Sequence, residues 1–157
     1  MQTAILTVST SVSARRAEDQ SGPTLAACAE AAGCEVVAME VVPDDFGLIE
    51  DRLNHYVDAA VDFIFTTGGT GFTPDDVTPE ATRMVIQRLA PGIVEAMRAV
   101  SREHTPMAVL SRAVAGISGV TLIVNFPGSP KAVEECFGVL APVLGHAVRT
   151  MRGDSRH

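Results

Sequence analysis

Segments of strand character and segments of helical character alternate along this chain almost from its first residue, which narrows the fold to an α/β domain on a largely parallel sheet. Ala4 to Val8 is a short apolar run ending in Ser9-Thr10-Ser11. After a polar loop, Ser21-Gly22-Pro23 opens an Ala-rich stretch predicted to be helical up to Gly33. Glu35 to Val42 is β-branched and apolar. Pro43-Asp44-Asp45 then caps a helix in which Phe46, Ile49, Leu53, Val57 and Ala60 recur at helical spacing. Phe63 to Thr67 reads as a third buried strand. Thr78-Pro79-Glu80 reads as a helix start with Thr78 as N-cap, and Pro91-Gly92 opens another helix.

Met107 to Ile117 and Thr121 to Phe126 are strand-like runs separated by Ser118-Gly119, a connection suited to a hairpin, so the sheet is expected to be mixed. Pro127-Gly128-Ser129-Pro130 starts a last helix whose stripe Val133, Phe137, Leu140, Leu144, Val148 and Met151 is predicted to be continuous. With 157 residues, no internal repeat and no dividing linker, one three-layer domain over residues 1–152 is expected, with helices on both faces of the sheet. A frayed tail from Gly153 to His157 should follow it.

Charge closes off several function classes. The net charge is −7 and Lys131 is the one lysine, which excludes the clustered basic surface that a nucleic-acid partner needs. No apolar run approaches the roughly 18 residues of a membrane span, and Met1 to Thr10 lacks the basic start of a signal peptide, so no membrane partner and a cytoplasmic location are expected. Cys28, Cys34 and Cys136 have no C-x-x-C spacing and read as buried or half-buried thiols. His55, His104, His146 and His157 are scattered without metal-ligand spacing and read as surface or boundary residues. Phe46, Phe63, Phe65 and Phe126, with Met39, Met84 and Met97, read as core packing.

In an open parallel sheet, ligands bind beyond the carboxyl ends of the strands where strand order reverses. That rule gathers Ser9 to Ser11, Pro43 to Asp45 and the loop from Gly68 to Thr78 in one place, bordered by the polar loop from Arg15 to Gly22. Gly68-Gly69-Thr70-Gly71 could bring backbone N–H groups up to phosphate oxygens, and it could equally be a tight structural turn. It matches neither the P-loop, since no Gly-Lys pair exists in the chain, nor the dinucleotide fingerprint. Asp44, Asp45, Asp75 and Asp76 can each cap a helix or ligate magnesium. Carboxylates projected from two loops toward a glycine-rich turn suit a magnesium-triphosphate site, without naming the substrate.

The run from Thr66 to Thr82, TTGGTGFTPDDVTPEAT, resembles the signature of the molybdopterin adenylyltransferases: the MogA and MoaB proteins, the plant Cnx G domain and the gephyrin G domain. The likeness continues through Asp19-Gln20-Ser21-Gly22-Pro23, Val42-Pro43-Asp44-Asp45, Pro91-Gly92, Leu110 to Ile117 and Leu122 to Val133, covering about Thr3 to Met151. It implies a molybdopterin-binding-like fold, a homotrimer, and transfer of AMP from Mg-ATP to molybdopterin with release of pyrophosphate. It also implies a molybdenum insertase as downstream partner.

By that resemblance Asp44 and Asp76 are the catalytic carboxylates and the magnesium ligands. Ser9, Thr10, Asp19, Ser21, Gly22, Gly68, Gly69, Thr70, Gly71, Thr78, Ser111, Arg112, Asn125, Pro127, Gly128 and Ser129 contact substrate or nucleotide. The chain departs from the family pattern at Thr10, where many members carry Asp, at Asp75, where many carry a basic residue, and at Ser118, a frequent Arg. A catalytically weak pterin carrier or scaffold is the second reading, and a nucleotide pyrophosphatase the third. The trimer is further motivated by the hairpin near Val109 to Val124, which is expected to leave a sheet edge to cover.

Overall fold

Strand β3 (Phe63–Thr67) is buried at all five positions because it runs between two other strands and under helices on both faces. The computed structural model describes residues 1–154. Around β3 lie β1 (Gln2–Val8), β2 (Glu35–Val42), β4 (Arg88–Leu89), β5 (Ala115–Ser118) and β6 (Thr121–Phe126), in the order β2-β1-β3-β6-β5-β4. β1 pairs in parallel with β2 and β3, and β3 with β6; β5 is antiparallel to both β6 and β4. From β1 the chain moves first to one side, to β2, and then across to β3, so strand order reverses between β1 and β3.

Helices α2 (Ser21–Ala31), α5 (Pro91–His104), α6 (Pro130–Leu140) and α7 (Leu144–Met151) cover one face, packing Leu25, Val94, Met97, Val133, Phe137 and Leu144 on Ile5, Phe65 and Val124. Helices α3 (Phe46–Asp58) and α4 (Thr78–Val85) cover the other, packing Ile49, Leu53, Ala81 and Val85 on Ala4, Leu6, Ile64 and Ile123. The three-layer α/β architecture with a mixed, mostly parallel sheet is therefore the one the alternation predicts. The one-turn helix α1 (Thr10–Ser13) occupies ground expected to be loop; Ser9 starts it by accepting from the Val12 N–H at 3.3 Å.

Several local expectations are corrected. Met107 to Ile117 is not one strand: Pro106–Leu110 forms a 3₁₀ turn, and pairing begins only at Ala115. The hairpin turn itself is Gly119-Val120, since Ser118 is still paired with Thr121. The edge expected to be open beside this hairpin is occupied by β4, two exposed residues with no alternating pattern to announce them. The last helix is broken at Ala141–Val143, where Pro142 brings in a 3₁₀ turn before α7 begins. Thr78 does not cap α4 with its side chain; its hydroxyl donates to the Gly68 carbonyl at 3.0 Å. Phe46, Met39 and Met84, expected in the core, are exposed, whereas Phe63, Phe65, Phe126 and Met97 are buried. Of the tail expected to fray, Gly153 and Asp154 donate to the carbonyls of Thr150 and Arg149, and residues 155–157 lie outside the described residues.

Candidate functional site

The carboxyl ends of β1, β2 and β3 carry short polar loops because each strand must hand its chain to a helix on one face or the other. After β3 the backbone turns through Gly68 and Gly69 with φ of 94° and 65°, a conformation that side chains with a Cβ rarely adopt. Space enforces the same choice. A Cβ on Gly68 would lie 2.3 Å from the Val8 carbonyl oxygen, and one on Gly69 would lie 2.3 Å from Thr78 Oγ1. The loop is also tied to β6: the Gly68 N–H donates to the Phe126 carbonyl and the Thr67 hydroxyl to the Pro127 carbonyl, at 3.3 and 2.7 Å.

This loop is the common wall of two cavities of different character. The first, about 430 Å³, lies where strand order reverses and is lined by Ser9, Glu18, Asp19, Ser21, Asp44, Gly68, Gly69, Asp76 and Gly128, among others. Among the described residues four carboxylates face it and no Lys or Arg does, so an anionic group inside it must rely on backbone N–H groups and a cation. The second, about 360 Å³, lies between α5 and α6 behind Thr70, Gly71 and Phe72. Its walls are mostly apolar, with Val94, Met97, Ala113, Ala132 and Cys136, and Ser111 and Pro127 also face it. Burial pushes the Cys136 thiol pKa up.

The two candidate catalytic carboxylates are held alike. Asp44 Oδ2 accepts from both the N–H and the hydroxyl of Thr10, each at 2.8 Å, and the Asp44 N–H donates back to Thr10 Oγ1 at 3.0 Å. Asp76 Oδ2 accepts from the N–H and the hydroxyl of Thr73 at 2.8 and 2.7 Å. In both residues Oδ1 has no hydrogen-bond donor among the described residues. The neighbouring Asp45, not Asp44, caps α3 by accepting from the Leu48 N–H. Asp19 is taken up structurally: it accepts from the Gly22 N–H and the Thr7 hydroxyl, fixing the start of α2 on β1. Among the described residues no three His, Cys, Asp or Glu side chains are grouped as a metal cage.

The polar cavity thus brings together Ser9, Asp19, Ser21, Asp44, Gly68, Gly69, Asp76 and Gly128, and the apolar one Thr70, Gly71, Ser111 and Pro127. Thr10, Gly22, Thr78, Arg112, Asn125 and Ser129 line neither. Arg112 donates to the carbonyls of Gly71 and Asp76 and pairs with Glu80, so its guanidinium ties the two limbs of the loop together. Asn125 is fully buried; it accepts from the Val114 N–H and donates to the hydroxyls of Thr66 and Thr82. Sequence reasoning missed Thr73, although Thr73-Pro-Asp-Asp76 has the spacing of a capping box. It also missed the α5 and α6 wall of the apolar cavity, whose residues read as ordinary helix core.

Residues 4–146 match the sequence profile of the probable molybdopterin binding domain of molybdenum-cofactor biosynthesis proteins. The chain belongs to that family. Gephyrin of Dictyostelium discoideum is 42% identical over 154 residues, an alignment covering 92% of this chain and 21% of gephyrin. A molybdopterin adenylyltransferase of Helicobacter pylori strain J99 is 42% identical over 116 residues, covering 73% of this chain and 66% of that protein. A solved structure of MogA superposes with a TM-score of 0.92 at 40% identity, covering 96% of this chain and 99% of that one. The chain therefore spans about a fifth of the gephyrin relative but nearly all of the MogA chain. Among the described residues no helix is long and apolar enough to cross a membrane.

Proposed function

We propose that this protein is a molybdopterin adenylyltransferase, acting in the cytoplasm as a homotrimer and passing adenylylated molybdopterin to a molybdenum insertase. The observation that carries this reading is the glycine loop shared by a polar, acidic cavity and an apolar one. Joining two phosphorylated heterocycles requires that their phosphates meet at one point while their rings lie apart, and a loop walled by two cavities offers that arrangement.

The donor set fits magnesium. Among the described residues Asp44 and Asp76 each keep one carboxylate oxygen without a donor, and magnesium is commonly held by one or two carboxylates together with substrate phosphate oxygens and water. When bound with ATP, it would supply positive charge that offsets the negative charge developing during the transfer. The chain's own residues orient the rest. With the Gly68 N–H given to the Phe126 carbonyl, the backbone N–H groups of Gly69 to Gly71 hold the phosphates, so that a terminal phosphate oxygen of molybdopterin attacks the α-phosphorus of ATP in line. A new P–O bond forms at that phosphorus, the bond to the β-phosphate bridging oxygen breaks, and pyrophosphate leaves with that oxygen. No side-chain nucleophile is needed, because positioning and electrostatic stabilisation carry such transfers. Free thiols at Cys28, Cys34 and Cys136 accord with a reducing compartment. The trimer is supported by family likeness and by exposed Phe72, Met107 and Leu110 around the apolar cavity.

Incubation with molybdopterin, ATP and Mg²⁺ tests the reaction. Pyrophosphate and adenylylated pterin in equal amounts are expected. Pterin binding without pyrophosphate would identify a carrier instead, and AMP released without a pterin acceptor would identify a pyrophosphatase. Light scattering should give three chains per particle, and a concentration-independent monomer of 16.5 kDa would overturn the assembly.

A further inference from the structure

We propose that Thr10 and Thr73 are positioning residues that set which oxygen of Asp44 and of Asp76 is offered to a divalent cation. The inference rests on the metal reading above and extends it to two residues that do not touch the metal. Each threonine directs its backbone N–H and its hydroxyl to the same atom, Oδ2, of one aspartate. A carboxylate held at one oxygen by two donors cannot rotate freely, and its other oxygen is left as the sole acceptor. The two clamps are built from different chain segments yet have the same form.

At Asp44 the clamp joins two strands' ends. Thr10 follows β1 and Asp44 follows β2, and the returning bond from the Asp44 N–H to Thr10 Oγ1 closes a ring between the loops. Asp44 Oδ1 is thereby aimed at the glycine loop, 3.3 Å from where a Cβ on Gly69 would sit. At Asp76 the clamp is local: the Asp76 N–H donates to the Thr73 carbonyl at 3.0 Å, and the carboxylate folds back over Thr73. An aspartate in place of Thr10 would supply a third carboxylate but no hydroxyl donor; threonine instead supplies orientation to the carboxylate already present. Groups that orient a metal's ligands typically control its affinity by about ten- to a hundredfold.

Thr10 and Thr73 are both exposed, so Thr10→Val and Thr73→Val remove the hydroxyl with little change in packing. Mn²⁺ is titrated into the full-length protein with α,β-methylene-ATP, whose α–β bridge resists cleavage, and free Mn²⁺ is read by electron paramagnetic resonance. Each valine variant should weaken Mn²⁺ binding about tenfold, and Thr10→Ser and Thr73→Ser should restore it to within about twofold. In turnover assays the valine variants should need more Mg²⁺ for half-maximal rate while recovering most of the parental kcat at saturation. Parental Mn²⁺ affinity in both valine variants would overturn the inference alone. Serine variants as weak as the valine variants would also overturn it, since a hydroxyl would then not be the group that matters. A parent protein that binds no Mn²⁺ with the nucleotide would overturn the metal reading itself and this inference with it.

Discussion

Replacing Asn125 by leucine removes the polar atoms at the crossing point of a buried network while keeping the number and branching of the side chain's heavy atoms. In the parent, Asn125 Oδ1 accepts from the Val114 N–H at 3.2 Å, and Nδ2 donates to Thr66 Oγ1 and Thr82 Oγ1 at 2.9 Å each. All three side chains are wholly buried. After Asn125→Leu, Thr82 keeps a partner, because its hydroxyl donates to the Thr78 carbonyl. The Val114 N–H and the Thr66 hydroxyl do not. Each orphaned polar group costs about 1–3 kcal/mol, partly offset by the burial of an apolar side chain, so a net loss of about 3 kcal/mol is expected. With a urea m-value of roughly 2 kcal/mol/M for a chain of this size, the unfolding midpoint should fall by about 1.5 M. Adding Thr66→Val removes one of the two orphans and should recover about 1 kcal/mol. Urea unfolding followed by far-UV circular dichroism reads all of these variants. A loss below about 0.5 kcal/mol in Asn125→Leu, or a further loss on adding Thr66→Val, would refute the assignment of Asn125 to the core network.

Asp44→Asn and Asp76→Asn should each lower adenylyl transfer by tens-fold or more while unfolding midpoints stay within about 0.5 kcal/mol of the parent, and activity equal to the parent in both would remove the site assignment. Gly68→Ala places a Cβ 2.3 Å from the Val8 carbonyl oxygen at a φ of 94°, so it should destabilise by about 2 kcal/mol or more and reduce transfer, as chemical denaturation and pyrophosphate release would report. Burial first, and then the Glu40 carboxylate that accepts its hydroxyl, push Tyr56 up to about 12 from an ordinary 10.0. A raised pKa stabilises fully below the unfolded value and is lost as pH rises through the folded one, so stability should decline between pH 10 and about 12. Tyr56 is the only tyrosine and the chain has no tryptophan, so its phenolate absorbance reports directly; a folded-state midpoint near 10 would contradict the shift.

The sheet was legible because period and length agreed: β1, β2, β3 and β6 are mostly apolar runs bounded by turn residues, and Ile49 and Leu53 of α3 and Val133, Phe137 and Leu140 of α6 keep the helical spacing that buries them. What escaped was set by contacts distant in sequence. Met107, Val109 and Leu110 look like strand residues, yet a 3₁₀ turn leaves them exposed beside a cavity that only the docking of α5 against α6 creates. β4 is two exposed residues whose pairing is decided by β5. At the site, residue type located the loops but not the use of each side chain. A guanidinium that can hold phosphate can also hold the carbonyls of Gly71 and Asp76, as Arg112 does, and an amide that can bind a ligand can join two threonines, as Asn125 does.

The parallel pairing of β3 with β6 also fixes the order in which the molecule can be assembled. Thr67 reaches a carbonyl 60 residues further along the chain, and Gly128 lies against Gly68, where a Cβ on Gly128 would be in van der Waals contact with the Gly68 Cα at 3.4 Å. As the chain emerges during synthesis, β1, β2 and β3 can find one another early, but β3 has a bare edge and the glycine loop lacks its anchor until β6 and Gly128 arrive. Pairings of such separation are slow to form and leave apolar edges uncovered meanwhile. A nascent chain stalled before β6 would therefore expose Phe63 and Phe65 and lack the anchored loop, so the geometry of the glycine loop should appear late and abruptly during synthesis.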